Sequence, residues 1–354
     1  MAELRELLER LSNAHGPSGR ERAVRNLIRA EIEPLVDRVE VDAMGNLIAF
    51  KAADAAAGAA PRLKVMLAAH MDEVGFMITE VGKSGLLSFQ AVGGVDARTL
   101  PGKRVLVGDD QTPGVIGAPV PHLSDGDRVP GIEDLAIDIG AIDDKAAGGK
   151  AKAGDYATFA TRFAVLHDDP AWPTVRGKAF DDRAGCAVAM AVLAERYPVD
   201  LYVAFTVQEE VGLRGARVAA YRVNPDAAIA LEGTICDDLP QQPDEDVTRV
   251  TRMGHGPAIT LMDRSLLSHP GMVRLLQETA AAEKIAVQYK APGLGGTDSG
   301  AIHQVHAGVP SITVATPCRY IHSPAAILNL NDLAATVALV SAALRRIDRG
   351  YLTR

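Results

Sequence analysis

Two adjacent carboxylates, Glu209 and Glu210, are the residues of this chain best placed to do chemistry. They follow the apolar run 201–207, Leu-Tyr-Val-Ala-Phe-Thr-Val, which predicts a buried strand. Ionisable acids at the end of a hydrophobic strand cost free energy unless a cation or a reaction uses their charge. The pair therefore marks a candidate site for metal binding or acid–base catalysis.

Three more ionisable residues follow apolar runs in the same way. They are, each with the run that precedes it, His70 (63–69), Glu232 (227–231) and His322 (311–315). Because the carboxyl ends of parallel strands meet at one edge of an open α/β sheet, these side chains predict one metal site at the crevice of that sheet.

A pair of acids, Asp181 and Asp182, opens the helical pattern 182–195. They could serve as a helix cap and a first-turn acid, or one carboxylate could bind two cations through its two oxygens. Each motif alone is a weak indication. Together, one His, a shared acid and a further acid would fill one metal site. The same shared acid, with another acid and another His, would fill a second, as in two-metal hydrolases.

The patterning of the whole chain predicts an α/β fold with a mixed, mostly parallel sheet flanked by helices. From 74 to 173 the texture changes to short apolar runs separated by Gly, Asp and Pro, which predicts a small, partly open β-barrel. We therefore expect a discontinuous catalytic domain, 1–73 and 174–354, with an inserted β-rich domain at 74–173.

Three local patterns border the candidate site. Ser18-Gly19-Arg20-Glu21 has the form of a capping box and predicts a helix over 20–35. Pro324, just after His322, predicts the start of a helix. The glycine-rich segment 293–298 predicts a tight loop beside the site, with Asp298 near the substrate.

The bulk properties restrict the function classes. The chain has 354 residues and a formal net charge of −8, which argues against nucleic acid and anionic membranes as partners. No apolar run reaches the length of a membrane span, and the charged amino terminus does not have the form of a signal peptide. Three widely spaced cysteines predict no disulfide framework and favour a reducing cytoplasm.

The motifs taken together resemble the tetrahedral-type (TET) metalloaminopeptidases, which include glutamyl and deblocking aminopeptidases and proteins once labelled cellulase M. The resemblance extends over essentially the whole chain, and the motifs occur in the order and spacing of that family. The segments that carry it are AHMDEVG (69–75), DDRAGC (181–186), QEEVG (208–212), LEGT (231–234), GTD (296–298) and YIHSP (320–324).

This resemblance implies a phosphorylase/hydrolase-like aminopeptidase fold and two divalent metal ions per subunit. The implied ligands are Asp181 as a bridge, His70 and Glu232 in one site, and Glu210 and His322 in the other. It further implies that Glu209 is the general base, that Asp72 supports His70, and that the peptide bond between Asp181 and Asp182 is cis. Histidine and carboxylate ligands allow Zn²⁺, Co²⁺ or Mn²⁺.

The expected activity is removal of N-terminal residues from peptides by a metal-activated water. Members of this family form dimers that build a twelve-subunit shell, with the inserted β-rich domain as a contact surface. Three alternatives remain: a related two-metal carboxypeptidase or deacylase, a glycan hydrolase, and a non-catalytic binding protein. A carboxypeptidase would normally carry an αβ lid domain after the Glu-Glu segment, whereas here the insertion precedes that segment and is β-rich.

Overall fold

The computed structural model describes residues 1–54, 62–118, 129–239 and 249–353. Within these ranges the chain forms one large mixed sheet with helices on both faces, and a separate small barrel. The helices are α1 (Ala2–Asn13), α2 (Arg22–Ile32), α3 (Asp144–Gly148), α4 (Phe180–Val192), α5 (Arg214–Val223), α6 (Pro270–Glu283), α7 (Asp298–Ile302) and α8 (Leu330–Arg346). None of these helices is long and apolar enough to cross a bilayer.

The strands divide between the large sheet and the barrel. Those of the large sheet are β1 (Arg38–Val41), β2 (Leu47–Lys51), β3 (Lys64–His70), β10 (Ala164–His167), β11 (Thr174–Gly177), β12 (Asp200–Thr206), β13 (Ala227–Cys236), β14 (Ala258–Thr260), β15 (Gln288–Tyr289), β16 (Ser311–Arg319) and β17 (Ala326–Asn329). Those of the barrel are β4 (Gly75–Val81), β5 (Leu87–Val92), β6 (Arg104–Val107), β7 (Thr112–Gly117), β8 (Ala136–Asp138) and β9 (Tyr156–Phe159).

The large sheet has the order β1-β2-β12-β3-β13-β16-β17-β11-β10, with β14 and β15 joined to β16. Its centre, β12-β3-β13-β16, is parallel, and its flanks pair antiparallel. Central strands that are covered on both faces must be apolar on both faces. In β3, Val65 and Leu67 join one hydrophobic cluster while Met66 and Ala68 join the cluster on the other face. The predicted α/β class, with a mixed sheet between helices, is confirmed.

The inserted strands form a closed antiparallel barrel in the order β4-β5-β8-β7-β6-β9. The sequence predicted a partly open barrel, and this detail is wrong because β9 pairs with both β4 and β6 and so leaves no edge between them. Phe76 fills the interior, edge-on to Phe89 at 5.0 Å and to Phe159 at 5.3 Å between ring centroids. Such edge-to-face contacts pack a narrow barrel well.

The barrel strands lie between Gly75 and Phe159, whereas β10 pairs with β11 in the large sheet. The division into a catalytic unit and an inserted unit at 74–173 stays a proposal. The pairing of β10 favours a second boundary between Phe159 and Ala164.

Two local predictions beside the site need correction. The helix predicted over 20–35 is present as α2, which a 3₁₀ turn continues over Glu33–Leu35, but the predicted capping box is wrong because Glu21 is the N-cap and makes no side-chain cap hydrogen bond. Ser18 is not part of a capping box, since its hydroxyl donates to Asp72 at 2.6 Å. After Pro324 the chain enters β17, which pairs with β11 and β16, and the helix starts only at Leu330. Two available strand edges outweigh the local preference of proline for a helix start.

Candidate metal centre

The parallel centre of the sheet brings the predicted residues to one edge. His70 is the last residue of β3 and is paired in register with Thr206, the last residue of β12, so Glu209 and Glu210 follow directly beyond it. Glu232 lies within β13, opposite Ala315 of β16. The residues that follow apolar runs therefore converge, as the α/β pattern predicts.

Asp181 lies between two imidazoles. Its Oδ1 is 3.2 Å from Nε2 of His70, and its Oδ2 is 3.3 Å from Nε2 of His322. The peptide bond between Asp181 and Asp182 is cis, as the family resemblance implied. Both residues have non-helical backbone angles at the start of α4, so Asp181 projects into the site instead of capping the helix.

A further carboxylate completes a group on each side of Asp181. On one side Oε2 of Glu232 is 3.5 Å from Nε2 of His70, and on the other Oε2 of Glu210 is 3.4 Å from Nε2 of His322. Ligand atoms placed tetrahedrally about 2.0–2.1 Å from an ion lie about 3.3 Å from one another. The observed separations therefore fit two adjacent divalent ions that share Asp181.

Asp182 also lies within 4.8 Å of the ligand atoms of His70 and Glu232 and could be taken for a ligand. Both of its oxygens, however, already accept backbone N–H groups, Oδ1 from Gly185 at 2.8 Å and Oδ2 from His70 at 3.1 Å. Asp182 therefore ties the end of β3 to the start of α4, and Asp181 has the oxygens free to bind ions.

The carboxylates of the site outnumber the histidines that could neutralise them. Burial, with the added effect of Asp181, raises the pKa of Glu210 to about 8 against the opposing charge of His322. Although burial opposes it, Asp181 and Glu210 raise the pKa of His322 to about 9. Divalent cations bound at this cluster would offset the negative charge of its carboxylates.

Glu209 is set apart from the two groups. Its Oε2 is 3.9 Å from Nε2 of His70, longer than the separations within either group. Burial raises the pKa of Glu209 well above its usual range, although His70 opposes the shift. The charges of Glu232 and Asp298 add to the effect of burial. A buried carboxyl with a raised pKa, next to a metal cluster, is suited to proton transfer.

Asp72 holds the backbone of the Glu-Glu segment. Its Oδ1 accepts the N–H of Glu209 at 3.0 Å, and its Oδ2 accepts the N–H of Glu210 at 3.1 Å. The carboxylate also lies 3.5 Å from Nδ1 of His70, whose closer partner is the backbone carbonyl of Asp72 at 3.1 Å. Ser18 donates to Oδ2 as well. Asp72 therefore fixes the segment that carries Glu209 in addition to contacting His70.

Asp298 is a direct neighbour of Glu232. Its backbone N–H points to Oε1 of Glu232 at 3.4 Å, and its Oδ2 accepts the hydroxyl of Thr206 at 2.5 Å. Oδ1 is buried and has no hydrogen-bond partner among the described residues. Burial, together with the charge of Glu232, raises the pKa of Asp298 to about 7, although His70 opposes the shift.

The inserted barrel supplies a wall of the site, which the sequence did not indicate. A Cβ on Gly93 would lie 3.2 Å from Cβ of Glu210, and one on Gly94 would lie 3.4 Å from Nδ1 of His322. Gly93 also has a φ of +89°. The chain just after β5 thus approaches the metal ligands so closely that a larger residue would displace them.

The cluster opens into a cleft of about 780 Å³, within the range of small-ligand sites. Asp181, Glu209, Glu232 and His322 line one part of the cleft. Another part is lined by Lys290 and the loop Gly295, Gly296 and Thr297, as the glycine-rich segment predicted, and Arg98 of the inserted unit also reaches it.

Behind the cluster lies a buried ion network. Glu73 accepts Lys178 Nζ at 2.7 and 2.8 Å on its two oxygens, and Arg183 Nη2 lies 3.4 Å away. Arg183 also donates to the carbonyl of Met71, next to His70. Burial lowers the pKa of Lys178 to about 8 despite the opposing charge of Glu73. The network connects the end of β3 to the start of α4.

We expect the substitution Glu73→Gln to destabilise the fold by about 3–5 kcal/mol, because it leaves two buried cations without a carboxylate. Denaturant unfolding of the purified protein measures this change in the free energy of unfolding. The matched control is Glu80→Gln on the exposed side of β4, for which we expect a change within about 0.5 kcal/mol. A loss below about 1 kcal/mol in Glu73→Gln would show that Lys178 and Arg183 find other partners.

Two histidines outside the cluster, His303 and His306, and the three cysteines have ordinary structural roles. His303 contacts the carbonyl of Ser299 at 3.0 Å, and His306 stacks on Tyr221, so the two do not form a metal pair. All three cysteines are free and buried, as expected for a chain without a disulfide framework.

A mixed sheet with an inserted barrel, and a His/carboxylate cluster at the carboxyl ends of its parallel strands, define a metal-dependent hydrolase. The chain matches the family described as M42 glutamyl aminopeptidase over residues 45–339. It therefore belongs to the M42 peptidases, which are metal-dependent aminopeptidases.

Three relatives are similar over nearly their whole length. The chain is 39% identical to a protein from Acetivibrio thermocellus that carries the provisional name of an aminopeptidase, covering 96% of this chain and 98% of the relative. It is 32% identical to the glutamyl aminopeptidase of Lactococcus lactis (93% and 92% covered). It is 31% identical to the lysyl aminopeptidase of Pyrococcus furiosus (97% and 97% covered).

Two solved structures share the fold. A TET aminopeptidase from a marine sediment thaumarchaeon superposes with a TM-score of 0.91 at 34% identity, covering 99% of each chain. The TET1 peptidase of Pyrococcus horikoshii, described as assembling into a tetrahedron or a large octahedral shell, gives a TM-score of 0.84 at 33% identity, covering 97% of this chain and 100% of the other. The expected family, fold and enzyme class are confirmed.

Proposed function

We propose that this chain removes N-terminal residues from peptides with two divalent ions bound at the cluster. The observation that carries the proposal is the position of Asp181, whose two oxygens each face a different imidazole. In this assignment Asp181 would bridge the ions, His70 and Glu232 would bind one, and Glu210 and His322 would bind the other. Their nitrogen and carboxylate donors suit Zn²⁺, Co²⁺ or Mn²⁺.

Bound there, the ions would act as Lewis acids that activate water and polarise the scissile carbonyl. Glu209 takes the proton of the attacking water and returns it to the leaving amine. Asp72 keeps Glu209 in position through the backbone N–H that it accepts. The backbone N–H of Asp298 points to Oε1 of Glu232, and the charge of these two acids would attract the free α-amine of the substrate, which favours cleavage at the first residue.

The test is a panel of aminoacyl-nitroanilides and short peptides assayed after chelation and after reconstitution with Zn²⁺, Co²⁺ or Mn²⁺. We expect chelation to abolish cleavage, and at least one metal to restore it at two ions per chain, because no protein group replaces the Lewis acid. N-acetylated peptides should resist cleavage. Their efficient hydrolysis would favour the deacylase or carboxypeptidase alternative, and chelator-resistant cleavage of a glucan would favour the glycan hydrolase.

We further propose that the chain forms homodimers and larger assemblies in the cytoplasm, with the inserted barrel as a contact surface. The support is the similarity to the TET1 peptidase of Pyrococcus horikoshii, which is described as assembling into a tetrahedron or a large octahedral shell. Light scattering of the purified protein measures the mass. A monomer at all concentrations would contradict the assembly proposal.

A further inference from the structure

The turn that follows β12 and leads into the Glu-Glu segment is held by side chains from distant parts of the chain. Four successive backbone N–H groups, those of residues 207–210, donate to side-chain oxygens at 3.0–3.2 Å. Largely buried N–H groups need an acceptor, and here the acceptors are not those of a neighbouring strand. In the order of the donors, the acceptors are Asn46, Glu21 and, for the last two N–H groups, Asp72.

Glu21 is the acceptor whose role the fold of its own segment does not explain. It is 4% exposed, and its Oε1 accepts the N–H of Gln208 at 3.2 Å and that of Gly19 at 2.6 Å. Glu21 is the N-cap of α2, where a side chain usually accepts an N–H of the helix that it opens, yet it makes no such bond. Its carboxylate therefore supports the turn after β12 instead of its own helix, and neither of its hydrogen bonds involves a metal ligand.

Gln208 needs this support because of its backbone conformation. Its φ is +57°, in the left-handed region that residues other than glycine rarely adopt and keep only where surrounding contacts hold them. The carbonyl of Gln208 already accepts the N–H of Arg214 at 3.2 Å, so its own N–H is the group that depends on Glu21. Because Glu209 is the next residue, the conformation of this turn sets the direction of its side chain.

We propose that Glu21 is a positioning residue for the general base: by accepting the N–H of Gln208, it fixes the turn from which Glu209 reaches the attacking water. This inference rests on the proposed aminopeptidase function. Glu210, on the same turn, has a further restraint in its group with His322, 3.4 Å away. Loss of Glu21 therefore acts on proton transfer more than on the binding of ions.

The kinetic test separates the reach of Glu21 from its charge, with an aminoacyl-nitroanilide and the metal-reconstituted enzyme. We expect Glu21→Ala to lower kcat roughly 10- to 100-fold, as for a small displacement of a catalytic group, with KM changed less than about threefold and two ions per chain retained. Glu21→Asp keeps the charge but is too short, and it should lose as much. Glu21→Gln keeps the length and an acceptor oxygen, and its kcat should stay within about threefold of the parent.

The control is Glu9→Ala, which removes an exposed glutamate of α1 and should leave kcat unchanged. If Glu21→Asp were as active as the parent and Glu21→Gln were not, the charge of Glu21 would matter instead of its hydrogen bond to the turn. That result would overturn the proposal.

A double substitution tests whether Glu21 acts through Glu209. Glu21→Ala combined with Glu209→Gln should have the kcat of Glu209→Gln alone, within about threefold, because a turn that no longer carries a base has nothing to position. Independent effects would multiply instead. Multiplied losses would show that Glu21 acts on another part of the site and would overturn its role in positioning the base.

Hydrogen exchange gives a readout that does not depend on turnover. The peptide that contains residues 207–210 should exchange roughly tenfold faster in Glu21→Ala than in the parent or in Glu9→Ala, and the rest of the chain should be unchanged. If Glu21→Ala does not fold, Glu21→Asp serves for the same comparison. Faster exchange throughout Glu21→Asp would make Glu21 a residue of general stability and would overturn the proposal.

The outcomes also separate this inference from the function on which it rests. A parent enzyme that cleaves nitroanilides, with kcat within about threefold of it in both Glu21→Ala and Glu21→Asp, overturns the role of Glu21 and leaves the aminopeptidase standing. Absence of cleavage by the parent with every metal overturns the proposed function itself.

Discussion

Glu209→Gln will keep its metal ions and lose turnover, with kcat lower by roughly 10²- to 10⁴-fold, the usual contribution of a general base. Glutamine preserves the shape of the side chain and the backbone N–H that Asp72 accepts, so the site stays assembled. It cannot accept a proton from water at neutral pH. Stopped-assay kinetics and elemental analysis of the same preparation measure turnover and metal content together.

The control for Glu209→Gln is the same substitution at a glutamate outside the site, Glu283→Gln at the exposed end of α6. That variant should have the kcat of the parent enzyme. A kcat within about threefold of the parent in Glu209→Gln would assign proton transfer to another group. Loss of metal together with activity would make Glu209 a ligand instead of a base.

The sequence predicts the centre of this fold well because the signal there is local. The strands β3, β12, β13 and β16 are buried on both faces. Ionisable residues that only a functional site would tolerate lie at the end of β3, within β13 and just beyond β12 and β16. Their parallel pairing then requires the ionisable residues to meet. The roles of individual residues are not local, and they came from the resemblance of the motifs to a family.

The contacts that hold the site residues in place could not be predicted, because they join segments that are distant in the sequence. Ser18 contacts Asp72 across 54 residues, and its spacing to Glu21 imitates a capping box. Glu21 instead accepts the N–H of Gln208, 187 residues away. The closure of the barrel depends on the pairing of β9 with β4, which no local pattern specifies.

The substitution Asp181→Asn should remove dinuclear metal binding, with the affinity for the second ion lower by at least about 100-fold. An amide has one oxygen, so it can serve the His70 side or the His322 side, and its NH₂ group would then face the other ion. Although burial opposes it, His322 and His70 hold the pKa of Asp181 well below its usual range, so the parent residue is a carboxylate in all ordinary buffers. Metal titration followed by elemental analysis should give at most one ion per chain and turnover near the background.

Asp110→Asn, on an exposed turn of the barrel, is the matched control and should bind both ions normally. Asp182→Asn provides the sharper contrast. Because both oxygens of Asp182 accept backbone N–H groups, its loss should lower the free energy of unfolding by about 1–3 kcal/mol, while the ligand atoms of both metal groups remain. If Asp181→Asn bound two ions as the parent does, and Asp182→Asn lost one, then Asp182 would be the bridge. The two carboxylates are adjacent in sequence, and the direction of their oxygens in the fold is what separates a shared ligand from a structural anchor.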